Sequence, residues 1–412
     1  MKVLVIGSGG REHAIIDKLS ESSLVTKIYA APGNDGFDNC ELVNIKVDDI
    51  DSLLKFALDK KIDLTVVGPE ASLAAGVVDL FLKNNLKIFG PTKAASQIEC
   101  SKDFAKNLMK KYNIPTASFA TFTSFELAKE YLDKHGVPIV VKYDGLAQGK
   151  GVVVAKTYVE AIDALKDMLI DDKFGQAKVV LEDYLEGPEF SFMCFVDGEN
   201  VYPLELAQDH KRAFDFDKGL NTGGMGAYSP LKFITKDDID YSLNKIMKPV
   251  AKALVEENRS FTGVLYGGLM KTVEGIKVIE FNARFGDPET EVVLPRLTSD
   301  LCQNFLDVID HKNVNLKWSD EVCIGIVMAS KGYPQAYIKG AHIGNLDKVS
   351  GKVYYMGVCK KDNQIYTNGG RVLIVVEKGS DLLSARNKAL EDCKKIECSN
   401  LFYRTDIGHW SI

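Results

Sequence analysis

Apolar positions along the chain recur at two periods. Short runs such as Val3 to Ile6, Leu64 to Val67, Ile139 to Val141, Val152 to Val154 and Val179 to Leu181 have the length of buried strands, and glycine or proline stands beside most of them. Behind Ser101, whose hydroxyl suits an N-cap, Phe104, Ala105, Leu108, Met109 and Tyr112 keep helical spacing. That predicts a helix to about Asn113, closed by Ile114-Pro115. From Glu321 onward the pattern predicts strands at Val322 to Ala329, Lys352 to Val358 and Val372 to Val376, with one helix from about Leu382 to Lys395. Strands alternating with helices at the start predict an α/β unit, and the strand pairs further on add others to a multidomain chain. Its 412 residues suffice for two to four of them.

The first strand runs into Gly7-Ser8-Gly9-Gly10-Arg11-Glu12-His13, with a helix expected from near Arg11. Strand, glycine turn and helix N-terminus together make an anion site, because free N–H groups and the helix dipole point at the turn. A dinucleotide fingerprint would want a third glycine where Glu12 stands, and an acid after Lys27 to Ala31, where Pro32-Gly33 follows instead. The unit is therefore Rossmann-like without being an NAD site. Leu64 to Val67 and Lys87 to Phe89 both end in Gly-Pro; one such pair is usually a plain turn, but two beside the glycine turn favour a small phosphorylated ligand. Lys102 falls in the first turn of its helix, where a cation opposes the dipole. Either it points to solvent, the commoner case, or an anion balances it.

Pro138 to Lys142 and Gly151 to Ala155 flank Tyr143-Asp144-Gly145-Leu146-Ala147-Gln148-Gly149-Lys150, a glycine-rich loop with lysine that can close over phosphates. It is not a Walker A loop, since Gly-Lys-Ser/Thr and a following helix are absent. Val179 to Glu189 reads as a strand breaking into an acidic linker. Its backbone suits a purine edge, and its acids suit ribose hydroxyls. In Lys277 to Glu291, alternation along a strand places Glu280, Asn282 and Arg284 on one face and Ile279, Phe281 and Ala283 on the other. Glu280 with the Asn282 oxygen is the kind of pair that holds Mg²⁺ while phosphates complete its shell. A solvated edge strand is the bland reading of the same residues.

Composition narrows the field. A net charge of −6 and a pI near 5.7 argue against nucleic-acid or anionic-membrane partners. No apolar run approaches the roughly 20 residues of a membrane span, and Met1 to Ile6 leads straight into the glycine turn, so a cytoplasmic protein is expected. The eight cysteines are scattered without a CxxC pair, as buried or incidental thiols would be.

Taken in order, Lys102, Lys142 with its glycine loop, the Glu182 to Leu185 linker and the Glu280-x-Asn282 strand resemble the ATP-grasp enzymes, in which two α+β lobes hold ATP between antiparallel sheets. A narrower resemblance is to the phosphoribosylamine–glycine ligase family. It is carried by Gly7 to Ala14, Gly68-Pro69-Glu70, Phe89 to Thr92, Lys150, Gln208-Asp209-His210-Lys211-Arg212, Asn221 to Pro230, Arg284 to Thr290, Gly369 to Leu373 and Phe402 to His409, and it spans essentially the whole chain. The chain departs from that pattern at Cys100, where glycine is expected, at Tyr143 and Gln148, which replace small residues, and at Tyr266 to Met270, which offers no second metal-binding acid.

The resemblance implies a Rossmann-like N-terminal domain at 1–100, an ATP-grasp small lobe with its linking helix at 101–190, a large lobe with the metal strand at 191–320, and a small mixed α/β C-terminal domain at 321–412 that helps enclose a ribose phosphate. The implied reaction joins glycine to 5-phosphoribosylamine, giving glycinamide ribonucleotide, ADP and phosphate through glycyl phosphate, in de novo purine biosynthesis. Lys102 and Lys142 would meet ATP phosphates, and Glu182, Leu185 and Glu189 the adenosine. Glu280 and Asn282 would hold Mg²⁺, with Mn²⁺ as an alternative. Lys150 would ride on the closing loop, Arg284 stabilise the transferred phosphoryl group, and Asp209 or Asp215 orient the amine. Gly9, Gly10, Asp287, Pro288, Glu289 and Thr290 would meet the ribosylamine and its phosphate. A substrate contact is expected of His210, and packed roles of His13 and His409. A monomer is expected, with a weak dimer as the alternative. The chain stops three residues past His409, so the purine enzymes fused to this ligase in some eukaryotes are expected to be absent. Two rivals remain: an ATP-grasp carboxylase of the biotin or aminoimidazole type, against which the Asn221 to Pro230 and Arg284 to Thr290 motifs speak, and a non-catalytic nucleotide-binding module.

Overall fold

The computed structural model describes residues 1–146, 151–171, 175 and 178–412. Its first unit contains β1 (Lys2–Gly7), α1 (Gly10–Ser20), β2 (Lys27–Pro32), β3 (Glu41–Leu42), α2 (Ile50–Lys60), β4 (Leu64–Val67), α3 (Glu70–Ala75), α4 (Val77–Lys83) and β5 (Ile88–Phe89). The strands form a parallel sheet in the order β3-β2-β1-β4-β5. The strand order reverses at β1 and β4, and the crevice beyond their carboxyl ends is where open α/β sheets receive ligands. Gly7 and Gly68 lie there.

A connection through α5 (Gln97–Cys100) and α6 (Lys102–Lys111) follows. Ser101 caps α6 as predicted, its Oγ accepting the Phe104 N–H at 3.1 Å. Next come β6 (Phe119–Phe122), α7 (Phe125–His135), β7 (Ile139–Tyr143), β8 (Val152–Ala155), α8 (Tyr158–Leu169) and β9 (Val179–Asp183), an antiparallel sheet ordered β6-β9-β7-β8 with two helices on one face. Alternation does the sorting in β7. Ile139 and Val141 join Leu132 and Leu165 in a separate small core, while Val140 and Lys142 face a cleft.

The second lobe begins with β10 (Glu189–Asp197) and β11 (Asn200–Pro203). It continues through β12 (Gln208–Asp209), β13 (Arg212–Phe214), β14 (Lys218–Asn221), β15 (Gly226–Ser229), α9 (Lys236–Ser242), α10 (Lys248–Glu256), β16 (Thr262–Thr272), β17 (Gly275–Asn282), α11 (Thr290–Val293) and α12 (Leu301–Ile309). Its antiparallel sheet runs β11-β10-β16-β17. In β17 the expected alternation fails at one point. A bulge sets Gly268 against Glu280 and Leu269 against Val278, so Ile279 is an extra residue and lines the cleft together with Glu280 instead of facing the other way. Phe281 and Ala283 are buried as expected.

The last stretch holds β18 (Val322–Ser330), β19 (His342–Ile343), β20 (Lys352–Tyr355), β21 (Val358–Lys361), β22 (Gln364–Thr367), β23 (Arg371–Gly379), α13 (Leu382–Lys395) and β24 (Leu401–Phe402). α13 has the predicted bounds. The single strand predicted at Lys352 to Val358 is two, because Gly357 packs so closely on Gly369 that an added Cβ would lie 2.6 Å from its Cα. The main sheet is ordered β12-β15-β18-β23-β20, with β24 also on β18. β12 and β15, drawn from the middle of the chain, thus pair with strands from its end. One hydrophobic cluster runs from Leu4 and Phe81 through Phe192 and Leu265 to Ile326 and Ala389, tying the first unit, the second lobe and the last sheet together. All eight cysteines are free thiols. Among the described residues, no helix is long and apolar enough to cross a membrane.

Candidate active site

Between the lobes lies a cleft of about 740 Å³. Its floor is β17. The Glu280 carboxylate sits among Lys211, Lys142, Lys102 and Arg284; burial alone would raise it, but these cations outweigh burial and hold it below the usual carboxylate range. Asn282 lines the same floor, and its Oδ1 accepts from Arg284 Nη2 at 3.4 Å. Lys102 turns inward rather than to solvent. Its Nζ donates to Gly145 O at 3.0 Å at the base of the glycine loop, and burial, opposed by Glu280, lowers its pKa. Ser101 Oγ and the Asp103 N–H both donate to Asp144 Oδ1 at 3.1 Å, so the loop base is fastened to the start of α6. Lys150 lies outside the described residues.

On the small-lobe side, Lys142 Nζ donates to Glu182 Oε2 at 2.9 Å and to Ile279 O at 3.0 Å. Glu182, Leu185 and Glu189 line the wall where β9 passes into its linker. Gly187 in that linker has φ +150, and a Cβ there would lie 2.2 Å from Lys271 O, so the linker runs flat against β16.

The opposite wall gathers charge. Lys211 Nζ pairs with Glu189 at 2.9 Å. Burial pushes the Asp209 carboxyl well above the usual range, and Glu289, Glu189 and Glu280 add to that push against Lys211. Glu289 Oε1 accepts from Ser191 Oγ at 2.7 Å and Tyr266 OH at 2.8 Å. Asp215 stands apart from this wall. Its carboxylate accepts from the Thr405 N–H at 2.8 Å and hydroxyl at 2.5 Å, and it does not line the cleft.

At the far end Arg284 is pinned between two acids, Nη2 at 2.9 Å from Glu99 and Nε at 3.3 Å from Glu70. Burial opposes its charge, and Glu99 and Glu70 more than compensate, raising its pKa. Glu99 also accepts the Ala283 N–H at 2.7 Å. Three sequence motifs meet beside it. Arg371 pairs with Asp287 at 2.9 Å and donates to Gly223 O at 2.8 Å, while Gly224, at φ +111, lies so close to Pro288 that a Cβ would be 2.4 Å from its Cδ. Gly9 and Gly10 pack on this corner, within 3.3 Å of Asp287 and 2.5 Å of Glu291 measured from an added Cβ. Thr290 is fully buried, its hydroxyl donating to Gly286 O at 2.6 Å.

The glycine turn itself holds an internal anion. Glu12 Oε2 accepts the Gly9 N–H at 2.7 Å, and its side chain fills the space where a Cβ on Gly7 or Gly68 would fall within 2.4 Å. That explains physically why Glu12 in place of a third glycine closes this turn to a dinucleotide.

His210 is buried, and burial with Arg404 and His409 nearby pushes it down to about 3, so the ring is neutral. Its Nε2 accepts the Gly408 N–H at 3.2 Å, which leaves the proton on Nδ1, buried without a partner at the cleft wall. His13 is packed as expected: it stacks on Phe37, accepts the Tyr355 N–H at Nδ1 and meets Asp38 at 2.8 Å. His409 lies 3.6 Å from Asp217 and from Asp406.

Sequence reasoning gave no role to Arg11, Glu70, Glu99, Lys106, Lys211 or Arg371, all of which line the cleft. Arg11, Glu70, Lys211 and Arg371 stood inside motifs that had been noticed. Glu99 and Lys106 carried no local signal, because only the folded connection brings them to β17.

Two antiparallel lobes closing on a cleft with a carboxylate–amide pair, inward lysines and a linker wall define an ATP-grasp enzyme, so the chain uses ATP. Comparison with known proteins gives the family. The phosphoribosylglycinamide synthetase family models match residues 1–99 (N domain), 100–290 (ATP-grasp domain) and 323–410 (C domain). Phosphoribosylamine–glycine ligase of Halalkalibacterium halodurans is 53% identical over all of this chain and 97% of its own length, and that of Streptococcus pneumoniae serotype 4 is 50% identical over the whole of both. The crystal structure of the Thermotoga maritima phosphoribosylamine–glycine ligase covers 99% of this chain and all of its own, with TM-score 0.88 and 31% identity. A Campylobacter jejuni biotin carboxylase, at TM-score 0.73 and 15% identity, shares the fold alone. The chain belongs to the phosphoribosylamine–glycine ligase family and is a ligase.

Proposed function

We propose that the cleft joins glycine to 5-phosphoribosylamine with ATP, forming glycinamide ribonucleotide for purine synthesis in the cytoplasm. The observation that carries this reading is the convergence of an ionised Glu280, inward-facing lysines, a pinned Arg284 and a proton-accepting Asp209 in one cleft. A carboxylate is a poor acyl donor. Its oxygen attacks the γ-phosphorus, ADP leaves, and the glycyl phosphate then accepts the amine nitrogen at its carbonyl carbon as phosphate departs. Phosphoryl transfer of this kind needs alignment and charge neutralisation rather than a protein nucleophile.

In this reading Lys102 and Lys142 meet the nucleotide phosphates, and Glu182, Leu185 and Glu189 hold the adenosine. Arg284 stabilises the transferred phosphoryl group. Asp209 rather than Asp215 orients the ribosylamine and takes the proton its nitrogen releases, because Asp209 faces the cleft and Asp215 is held by Thr405. Arg11 and Arg371 supply positive charge for the ribose phosphate. The Gly9-Gly10 turn, Asp287, Pro288, Glu289 and Thr290 shape the corner that receives it. A hard divalent cation fits Glu280 and Asn282: one carboxylate is held ionised, one amide oxygen lines the same floor, and the remaining positions are left for phosphate oxygens. Mg²⁺ or Mn²⁺ there would neutralise charge on the phosphates. The units at 1–100, 101–190, 191–320 and 321–412 each contribute residues to the cleft.

The deciding measurement is ADP release with ATP and Mg²⁺, comparing glycine alone, freshly generated phosphoribosylamine alone, and both. Release only with both supports the ligase. Release with bicarbonate in place of glycine, or none at all, overturns it.

A further inference from the structure

Lys106 lies one helical turn beyond Lys102 in α6, and no step above uses it. Its side chain is 3% exposed, with Nζ 2.7 Å from Glu182 Oε2. It also donates to Thr116 Oγ1 at 2.7 Å, and Thr116 donates in turn to Val278 O at 2.7 Å, in the backbone of β17. Lys142 reaches the same Glu182 oxygen, so two ammonium groups share one carboxylate oxygen. Among the described residues, Glu182 Oε1 is buried without a partner.

Two ammonium groups on one carboxylate oxygen leave Glu182 paired when either of them departs. A single lysine bridging Glu182 and a nucleotide phosphate would divide one charge between two anions. Were Lys142 the only partner, its departure would strand a buried carboxylate, which is strongly disfavoured. Lys106 cannot follow Lys142, because Thr116 tethers it to β17.

We propose that Lys106 is a positioning residue, the fixed counter-ion that keeps Glu182 neutralised while Lys142 leaves it for the phosphates of bound ATP. The proposal rests on the reading of the cleft as an ATP site with Lys142 at the phosphates. Burial pushes Lys106 down to about 8, with Glu182 drawing it back up, Lys142 pushing it further down and Glu280 drawing it up. Its charge therefore depends on the carboxylate it serves.

Titration of the full chain with ATP and, separately, adenosine tests this, each variant first checked for an unchanged unfolding transition. Lys106→Met is expected to weaken ATP binding about tenfold or more, the scale of a lost charged hydrogen bond, and adenosine less than about twofold. Lys106→Gln, which keeps a donor for Thr116, carries the same expectation should the methionine variant be unstable. Lys106→Arg is expected to retain ATP affinity within about threefold. Equal weakening of ATP and adenosine would reduce Lys106 to a prop for the adenosine wall, and no weakening of either would remove its role; both overturn the proposal. Lys142→Ala is the control. If it leaves the ratio of ATP to adenosine affinity unchanged, the phosphate reading of Lys142 fails, and the proposal falls for that separate reason.

Discussion

Two places in this molecule use glycines and charged side chains side by side, and they end in opposite states. In the turn after β1 the chain supplies its own anion: Glu12 takes the Gly9 N–H and occupies the space beside Gly7 and Gly68. In the cleft over β17, Lys102, Lys142, Lys106, Lys211 and Arg284 surround Glu280 and Glu182, and Glu182 Oε1 and the His210 Nδ1–H are buried without partners. In the first site the space between the glycines is already taken by the chain's own carboxylate. The second keeps a buried acceptor and a buried donor without partners among the described residues. A glycine-rich turn at a helix N-terminus is thus a weaker sign of a binding site than a cleft whose buried polar atoms lack partners.

The sharpest way to break this contrast is at Glu280. Glu280→Gln should lower kcat on the order of 10² or more, as loss of a preorganised electrostatic group does, and near-wild-type turnover at saturating Mg²⁺ would sink the assignment. The second is the pH profile. With Asp209 raised to about 7 mainly by burial, the group becomes a competent base only as pH rises through that value, so the rate should show an acid limb near neutrality rather than near pH 4. Asp209→Asn should abolish that limb and slow turnover, and a limb that survives would assign it elsewhere. Next, Glu12→Gln should act on the fold and, through Arg11, whose Nε lies 2.5 Å from Glu12 Oε1, on the ribosylamine, but not on ATP. Loss of the charged acceptor in the closed turn should cost about 1–3 kcal/mol in urea unfolding, with ATP affinity within about twofold of wild type; a larger change in ATP affinity would erase the distinction between the two sites. The smallest effect is expected at Asp215→Asn, whose kcat should stay within about twofold because the side chain serves Thr405; a loss comparable to that of Asp209→Asn would reverse the choice between them.

How far these sites could be read in the sequence followed the range of the interactions involved. The cap at Ser101 and the bounds of α13 depend on residues within a turn or a helix, and the pattern showed them. The Glu280, Asn282 and Arg284 grouping was visible for the same reason. The bulge at Ile279 was not, because it is set by register against β16. Nor were Glu99, which reaches Ala283 across 184 positions, or Lys106 on α6, whose partner Glu182 lies on β9. Asp209 and Asp215 look equivalent in sequence, and only the contact with Thr405, 190 positions away, separates them.

The pairing of β15 with β18 has a consequence for the order in which the protein can be made. Asp209 lies on β12, whose only route into a complete sheet is through β15, and β15 finds its other neighbour in Val322–Ser330. A nascent chain that has emerged as far as residue 320 therefore carries the whole floor of the cleft but leaves β15 an unpaired edge, open to association with other chains. The edge closes only when strands from the end of the chain dock on β15.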